Sequence, residues 1–349
     1  MSAVIAAVAT RRVAVVSEVP GRLTSQLLAD PPAGSAGAVV RRLLAVQAQD
    51  GQGARLAIRA RSAGLTASDV DRALERRELV VSWLNRGTLH LVAAEDYWLL
   101  HPLTTPQLVT GNTRRLRQEG VSPAQTERGV EVVTAAVESG PLTRAQLRTR
   151  LDAGGVPTRG QALVHVLMAA TLAGHVVRGP MIGNDHAFVS VERWLGAAPP
   201  PLERYEALAI LANRYLAGHA PATAEDLAKW AGITLADARR GFARASAPRM
   251  RARALPSPKL LGAFDPLLHG WVSREALLGD HRTVVTSNGI FRPVALVDGR
   301  LVAVWSLPRG IVTIRPLEHI SRAARQTLAA DATDVLRYLG LPHRPAIIE

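Results

Sequence analysis

The sequence predicts a mainly α-helical fold with small β-sheets, built as three tandem winged helix-turn-helix units followed by an antiparallel β-rich segment. Three observations carry this. Three segments between residues 64 and 245 read alike, with capped helices and short turns, and the first two run into strand-like stretches. A stretch of alternating branched apolar and polar residues occupies 282–317. Two proline-rich breaks, "GAAPPPLERY" at 196–205 and "ALPSPK" at 254–259, read as linkers. The expected divisions are residues 1–120, 121–200 and 201–255 for the three units and 256–349 for the β-rich segment.

The first unit centres on "GLTASDVDRALERRELVVSWLNRGTLHLV", residues 64–92. Thr66 can cap a helix, Leu74 and Leu79 begin its apolar face, and "GTLHLV" alternates like a strand after Gly87. In the second, residues 140–179, Thr143 opens a helix, "DAGGVP" breaks it, Thr158 opens a longer one and "GHVVRG" leaves as a strand. The third, residues 219–245, places caps at Thr223 and Thr234 around the turn "WAGIT". Helix, short turn, helix, then a strand or hairpin is the layout of a winged helix-turn-helix. Beyond them, Asn288-Gly289 and Asp298-Gly299 are two-residue hairpin signals, because type I′ turns need positive φ at both central residues. A helix near 321–339 closes the chain.

With 349 residues, 48% apolar and 20% charged, the chain has the composition of a globular protein of several domains. It has no cysteine, which removes disulfides, thiolate nucleophiles and Cys-ligated metals. The N-terminal apolar run is short, with its arginines after it, so no signal peptide is read there. No stretch is long and apolar enough to span a bilayer. A cytoplasmic monomer without metal or cofactor is expected.

The charge is less ordinary. Lys and Arg total 42 against 29 acids, a net charge of +13, and only Lys229 and Lys259 are lysines. A GC-rich coding sequence explains Arg over Lys, but a surplus of this size on a folded chain also attracts polyanions, nucleic acid first. From Ala238 to Phe264 there is no carboxylate, but there are Arg239, Arg240, Arg244, Arg249, Arg251, Arg253 and Lys259. Arg239 and Arg240 fall on the third unit's second helix, the rest in the loop where a wing belongs. Arg144, Arg148, Arg150 and Arg159 give the second unit a similar bias. Both clusters suit salt-sensitive contact with DNA phosphates.

Most catalytic motifs are missing: no "HExxH", "GxxxxGK" or "GxSxG" occurs. His165, His175 and His186 are too widely spaced for a metal site, and His165 reads as a hydrogen-bonded residue of an apolar helix. What remains is "VQAQDGQG", residues 46–53, where Gln47 and Gln49 lie two apart at the end of an amphipathic run. In an extended segment such residues point the same way. Two amides so placed either satisfy backbone groups at a helix end or hold and orient a water. An oriented water suffices only where the bond to be broken is already weak. The glycosidic bond of an N7-alkylated purine is such a bond, because the cationic base leaves readily.

The stretches "RLTSQLLADPPAGSAGAVVRRLLAVQAQD" and "VVSWLNRGTLHLVAAEDYWLL", with the later "LLGAFDPLLHG" and "FRPVALVDGRLVAVW", closely resemble the winged-helix DNA glycosylases typified by the azinomycin-resistance enzyme AlkZ. The resemblance covers nearly the whole chain. Its catalytic signature is a Gln-x-Gln motif, matched by Gln47-Ala48-Gln49. A sister branch has Asp in the second place; Gln there points to the branch linked with crosslink unhooking. The resemblance implies three winged helices in a C-shaped arrangement forming a positively charged channel around duplex DNA. It also implies excision of bulky N7-alkylated bases, azinomycin-type interstrand crosslinks included. An open channel reaching the bond in place suits such adducts better than a closed pocket for a flipped base.

Several further residues are candidates. Asp265 in "AFDPLLHG" can stabilise an oxocarbenium ion, although Asp-Pro first reads as a turn. His269 can contact substrate or be an exposed loop residue. His90 shares a strand face with Thr88 and Val92 and can line the channel, and Arg86 before that strand can hold a phosphate. Strand-cleaving glycosylases use an amine to form a Schiff base. Both lysines lie far along the chain from the Gln pair, so a monofunctional enzyme is expected. The competing readings are a winged-helix transcriptional regulator without enzymatic activity and a protein that sequesters an antibiotic.

Overall fold

The computed structural model describes residues 18–29, 32–246 and 254–349. Residues 18–25 form α1, followed by α2 (Ala36–Leu43), β1 (Val46–Gln47), α3 (Gly51–Arg59) and α4 (Ala67–Glu75). The hairpin β2 (Leu79–Leu84) and β3 (Thr88–Ala93) comes next. α5 (Ala94–Thr104) and α6 (Pro106–Gln118) lead to a second helix set, α7 (Pro123–Val137), α8 (Arg144–Ala153) and α9 (Ala162–Leu172). Its hairpin is β4 (Val176–Ile182) and β5 (Asp185–Ser190). After α10 (Val191–Leu195) the third set is α11 (Arg204–His219), α12 (Ala224–Ala231) and α13 (Leu235–Phe242). The last part holds β6 (Lys259–Leu261), α14 (Glu275–Leu278), β7 (Val294–Val297), β8 (Arg300–Ser306), β9 (Thr313–Pro316), α15 (Arg322–Tyr338) and β10 (Ile347–Ile348). The fold is mainly α with small sheets, as the sequence predicts.

Side-chain caps set most of the helix starts. Thr66, Thr143 and Thr223 form reciprocal capping boxes with Asp69, Gln146 and Asp226, and the Thr234 hydroxyl accepts from the Asp237 N–H. Two expectations need correcting. Thr158 is not a cap: its hydroxyl donates to the Asp152 carboxylate at 2.6 Å, and α9 begins at Ala162. Leu79 does not continue the face of α4. Arg77 takes φ of 63°, the helix stops, and Leu79 opens β2.

The two hairpins are joined rather than separate. β2 pairs with β4 through Val81 and Arg178, giving one five-stranded sheet in the order β1-β3-β2-β4-β5. One face carries Val46, Leu91, Val81 and Phe188 against α2, α4 and the α7–α9 set. The other carries Val80, Val92, Val177 and Val189 against α5 and the α11–α13 set. Covered on both faces, β2 is buried at every position, which hides its period of two. The third helix set has no hairpin among the described residues. The loop assigned to its wing, with Arg249, Arg251 and Arg253, lies outside them.

The C-terminal sheet runs β10-β9-β8-β7-β6, between α15 on one side and α1 with α14 on the other. Its pairs are antiparallel except β10 with β9, which is parallel. Asp298 and Gly299 make the expected turn with φ of 48° and 78°. At Asn288-Gly289 only the glycine has positive φ, and a single bridge, Val285 to Phe291, closes the loop, so within the 282–317 stretch the first sheet strand is β7 at Val294, and β6, from before that stretch, pairs beside it. α15 fills the predicted closing helix with Ser321 as its cap.

α3 binds these parts together. Ala54, Ala57 and Ile58 enter the core below the first sheet, while Leu56 and Ala60 enter the two cores of the C-terminal part. Two buried arginines reinforce it. Arg59 pairs with Asp331 and Asp334 of α15, and Arg61 reaches Asp265 and Gln26. The Gln-x-Gln stretch runs straight into the start of this helix.

Candidate active site at the Gln-x-Gln strand

Gln47 ends β1, directly opposite His90 on β3, so both side chains leave the same face of the sheet. His90 in turn lies opposite Ser82 on β2. The result is a polar row, Gln47, His90 and Ser82, on a face otherwise built from Val80, Leu84 and Val92. Gln47 is 7% exposed, and its Oε1 is buried without a hydrogen-bond partner among the described residues. The Ser82 hydroxyl is in the same condition.

Gln49 lies in the bend that follows β1 and is exposed. Its Oε1 accepts from the Leu89 N–H at 3.3 Å, which leaves the amide NH2 free to donate outward. Asp50 then caps α3, its Oδ1 accepting from the Gly53 N–H at 2.6 Å. β1 pairing on one side and this cap on the other fix the conformation of the short motif.

His90 Nδ1 lies 2.9 Å from the Thr88 carbonyl oxygen, which can only accept, so Nδ1 carries the proton. Burial, and Arg86 nearby, push the imidazole down to about 3. At neutral pH it is therefore uncharged, with Nε2 as a hydrogen-bond acceptor.

The segment after β6 completes the surroundings. The His269 ring lies 4.0 Å from Phe291 and 6.0 Å from Phe264. Burial, with the positive charges of Arg86 and Arg274, keeps it uncharged too, and His90 contributes to the same shift. His269 thus belongs with His90 and Arg86, not on an isolated loop. Asp265 has a different setting. It is fully buried, and its two oxygens accept from Arg61 Nη1 and Nη2 at 2.9 and 2.7 Å and from the Leu267 N–H at 2.9 Å. Its charge is matched inside the protein.

Arg86 Nη1 donates to the Lys229 and Trp230 carbonyls, at 3.0 and 2.6 Å, at the end of α12. Sequence separation therefore misleads for Lys229, which stands beside Arg86 in space. The other candidate arginines lie apart from this row. Arg144 and Arg148 are exposed on α8, and Arg159 is exposed in the loop before α9. Arg239 pairs with Glu225, Arg240 with Asp237 at 3.6 Å, and Arg244 is exposed after α13. α9, the third helix of the second set, is buried over most of its surface and presents no face for a DNA groove. His165 Nδ1 meets Asn112 Oδ1 at 2.7 Å, the hydrogen-bonded role expected of it.

Ser82, Phe264, Phe291 and Arg274 are not legible as site residues. Ser82 lies in a stretch whose strand period is masked by burial, and Phe264, Phe291 and Arg274 gather around His269 only through tertiary contacts.

A family model described as DNA glycosylase AlkZ-like matches residues 40–338. An interstrand DNA cross-link repair glycosylase of Streptomyces sahachiroi is 27% identical over 94% of this chain and 97% of its own length. The solved structure of Streptomyces sahachiroi DNA glycosylase AlkZ superposes with a TM-score of 0.76 at 26% identity, covering 95% of this chain and 98% of that one. With a match over most of its length, the chain belongs to the AlkZ-like DNA glycosylase family.

Proposed function

We propose that the protein hydrolyses the N-glycosidic bond of bulky N7-alkylated purines in duplex DNA, azinomycin-type interstrand crosslinks among them, using a water held by Gln47 and Gln49. The observation that carries the reading is the buried Gln47 Oε1, unpartnered among the described residues and flanked by the uncharged His90. A water there donates one O–H to Gln47 Oε1 and keeps a lone pair for C1′ of the sugar. The Gln49 NH2, with its oxygen held by Leu89, can steady the same water. The cationic base leaves with the electron pair of the C1′–N9 bond, the water oxygen bonds to C1′, and its surplus proton passes to solvent. No strong base is required, which suits a row of amides and a neutral imidazole. The similarity to the Streptomyces sahachiroi interstrand DNA cross-link repair glycosylase supports crosslinked DNA as the substrate class.

The reaction is read as monofunctional, since no amine stands in the row itself; Lys229 beside Arg86 is the residue that could contradict this. The test is a duplex carrying an azinomycin-class crosslink, resolved on a denaturing gel. The expected result is release of the crosslink to leave a strand that breaks only on alkali treatment, with no protein–DNA adduct trapped by borohydride. An adduct lost in Lys229→Ala would overturn the hydrolytic reading. Tight binding to one defined sequence without unhooking would favour a regulator instead.

A further inference from the structure

Three cations converge beside the Gln-x-Gln strand from three separate elements. Arg86 leaves the β2–β3 turn and lies across the last turn of α12 through its bonds to the Lys229 and Trp230 carbonyls. Lys229 stands exposed on that same turn. Arg274 donates its Nε to the Leu268 carbonyl at 2.5 Å and holds its guanidinium 5.1 Å over the Phe291 ring, which itself packs on His269. Among the described residues none of the three has a carboxylate within 4.0 Å. Burial first, and mutual repulsion after it, lower their proton affinities: Arg274 acts on Arg86, and both act on Lys229. Asp226, the carboxylate whose charge acts on Lys229, is committed to the Thr223 and Val272 N–H groups.

Such a cluster opposes the proposed chemistry as it stands, because the alkylated base and the developing oxocarbenium ion are both cationic. The conflict disappears if anions enter with the substrate, and duplex DNA brings one phosphate per nucleotide. We propose that Arg86, Lys229 and Arg274 form a clamp for the DNA backbone beside the lesion, so that the clamped phosphates supply the negative charge facing the cationic sugar. The clamp needs only DNA as ligand; the electrostatic part of its role rests on the glycosylase reading above.

The test measures binding of the full-length protein to a duplex, undamaged or containing 7-methylguanine, by fluorescence anisotropy across a salt series. Each clamp cation removed, in Lys229→Ala or Arg274→Ala, reduces the slope of log affinity against log salt by about 0.9, and the double variant by nearly twice that. Arg274→Lys keeps the slope, which separates charge from the structural bond to Leu268. Arg128→Ala, a pair-forming surface change on α7, leaves it unaltered. A single methylphosphonate next to the lesion removes the difference between wild type and Lys229→Ala. Slopes equal to wild type in both alanine variants overturn the clamp. Unhooking of a duplex with an azinomycin-class crosslink is scored alongside: reduced slopes without unhooking would spare the clamp and sink the glycosylase reading, whereas normal unhooking with unchanged slopes would do the reverse.

Discussion

Gln47 and His90 face one another across the β1–β3 pair, and the row they begin continues to Ser82 inside an otherwise apolar layer. Burying amide, imidazole and hydroxyl groups with incomplete bonding costs free energy, on the order of 1–3 kcal/mol for each unsatisfied group. Sheets used only as scaffolding replace such rows with branched apolar residues, as the neighbouring positions Val80 and Val92 do here. The polar row is thus a cost that packing of the sheet alone does not explain.

Two fully buried histidines make stability fall in mild acid. His90 and His219 are both pushed down to about 3 by burial, against about 6.5 in the unfolded chain. Below pH 6.5 the unfolded state binds protons that the native state refuses, so stability declines as pH falls from 6.5 toward 3. At pH 5 the loss is about 2 kcal/mol per histidine, before carboxylates begin to titrate. Urea unfolding at pH 7 and pH 5 should show a marked drop in midpoint at the lower pH, and a smaller drop in His219→Gln. A midpoint unchanged between these pH values would mean that the imidazoles are not held neutral.

The Arg61–Asp265 pair is a structural tie. Neither side chain has any solvent exposure, and Gln26 joins the pair through Arg61 Nη2 at 3.0 Å. Asp265→Asn leaves a buried guanidinium uncompensated, and a loss of about 3–5 kcal/mol in urea unfolding is expected. A variant that unfolds like wild type but releases no base would instead give Asp265 a direct part in the reaction.

Gly53 is where the start of α3 meets the segment before His269. A Cβ there would collide with the Ala263 carbonyl oxygen, which is backbone and cannot swing aside. Gly53→Ala should cost about 1–3 kcal/mol and lower base release more than DNA binding, because it pushes Asp50 and the glutamines from the 263–269 segment. Unchanged kcat in this variant would show that the two parts need not be held in register.

What the sequence reveals follows from how far each feature depends on the distant chain. Thr66, Thr143, Thr223 and Thr234 announce their helices because a cap is a local bond. Thr158 misleads because Asp152 competes for its hydroxyl. The union of the two hairpins through Val81 and Arg178 cannot be read from either, since it joins residues nearly a hundred positions apart, and burial on both faces leaves "LVVSWL" without alternation. At the site, Gln47 and Gln49 stand out through their spacing and family resemblance. Arg274 and Lys229 do not, because only the docking of α12 and of the segment after β6 brings them to Arg86.

The most direct test of the role given to Gln47 and Gln49 is base release from a duplex containing 7-methylguanine, followed by HPLC for wild type, Gln47→Ala and Gln49→Ala. If the pair holds the attacking water, the wild type frees the base, and each variant slows release about 100-fold or more while binding the duplex as before. Release at the wild-type rate by Gln47→Ala would contradict the account at its centre.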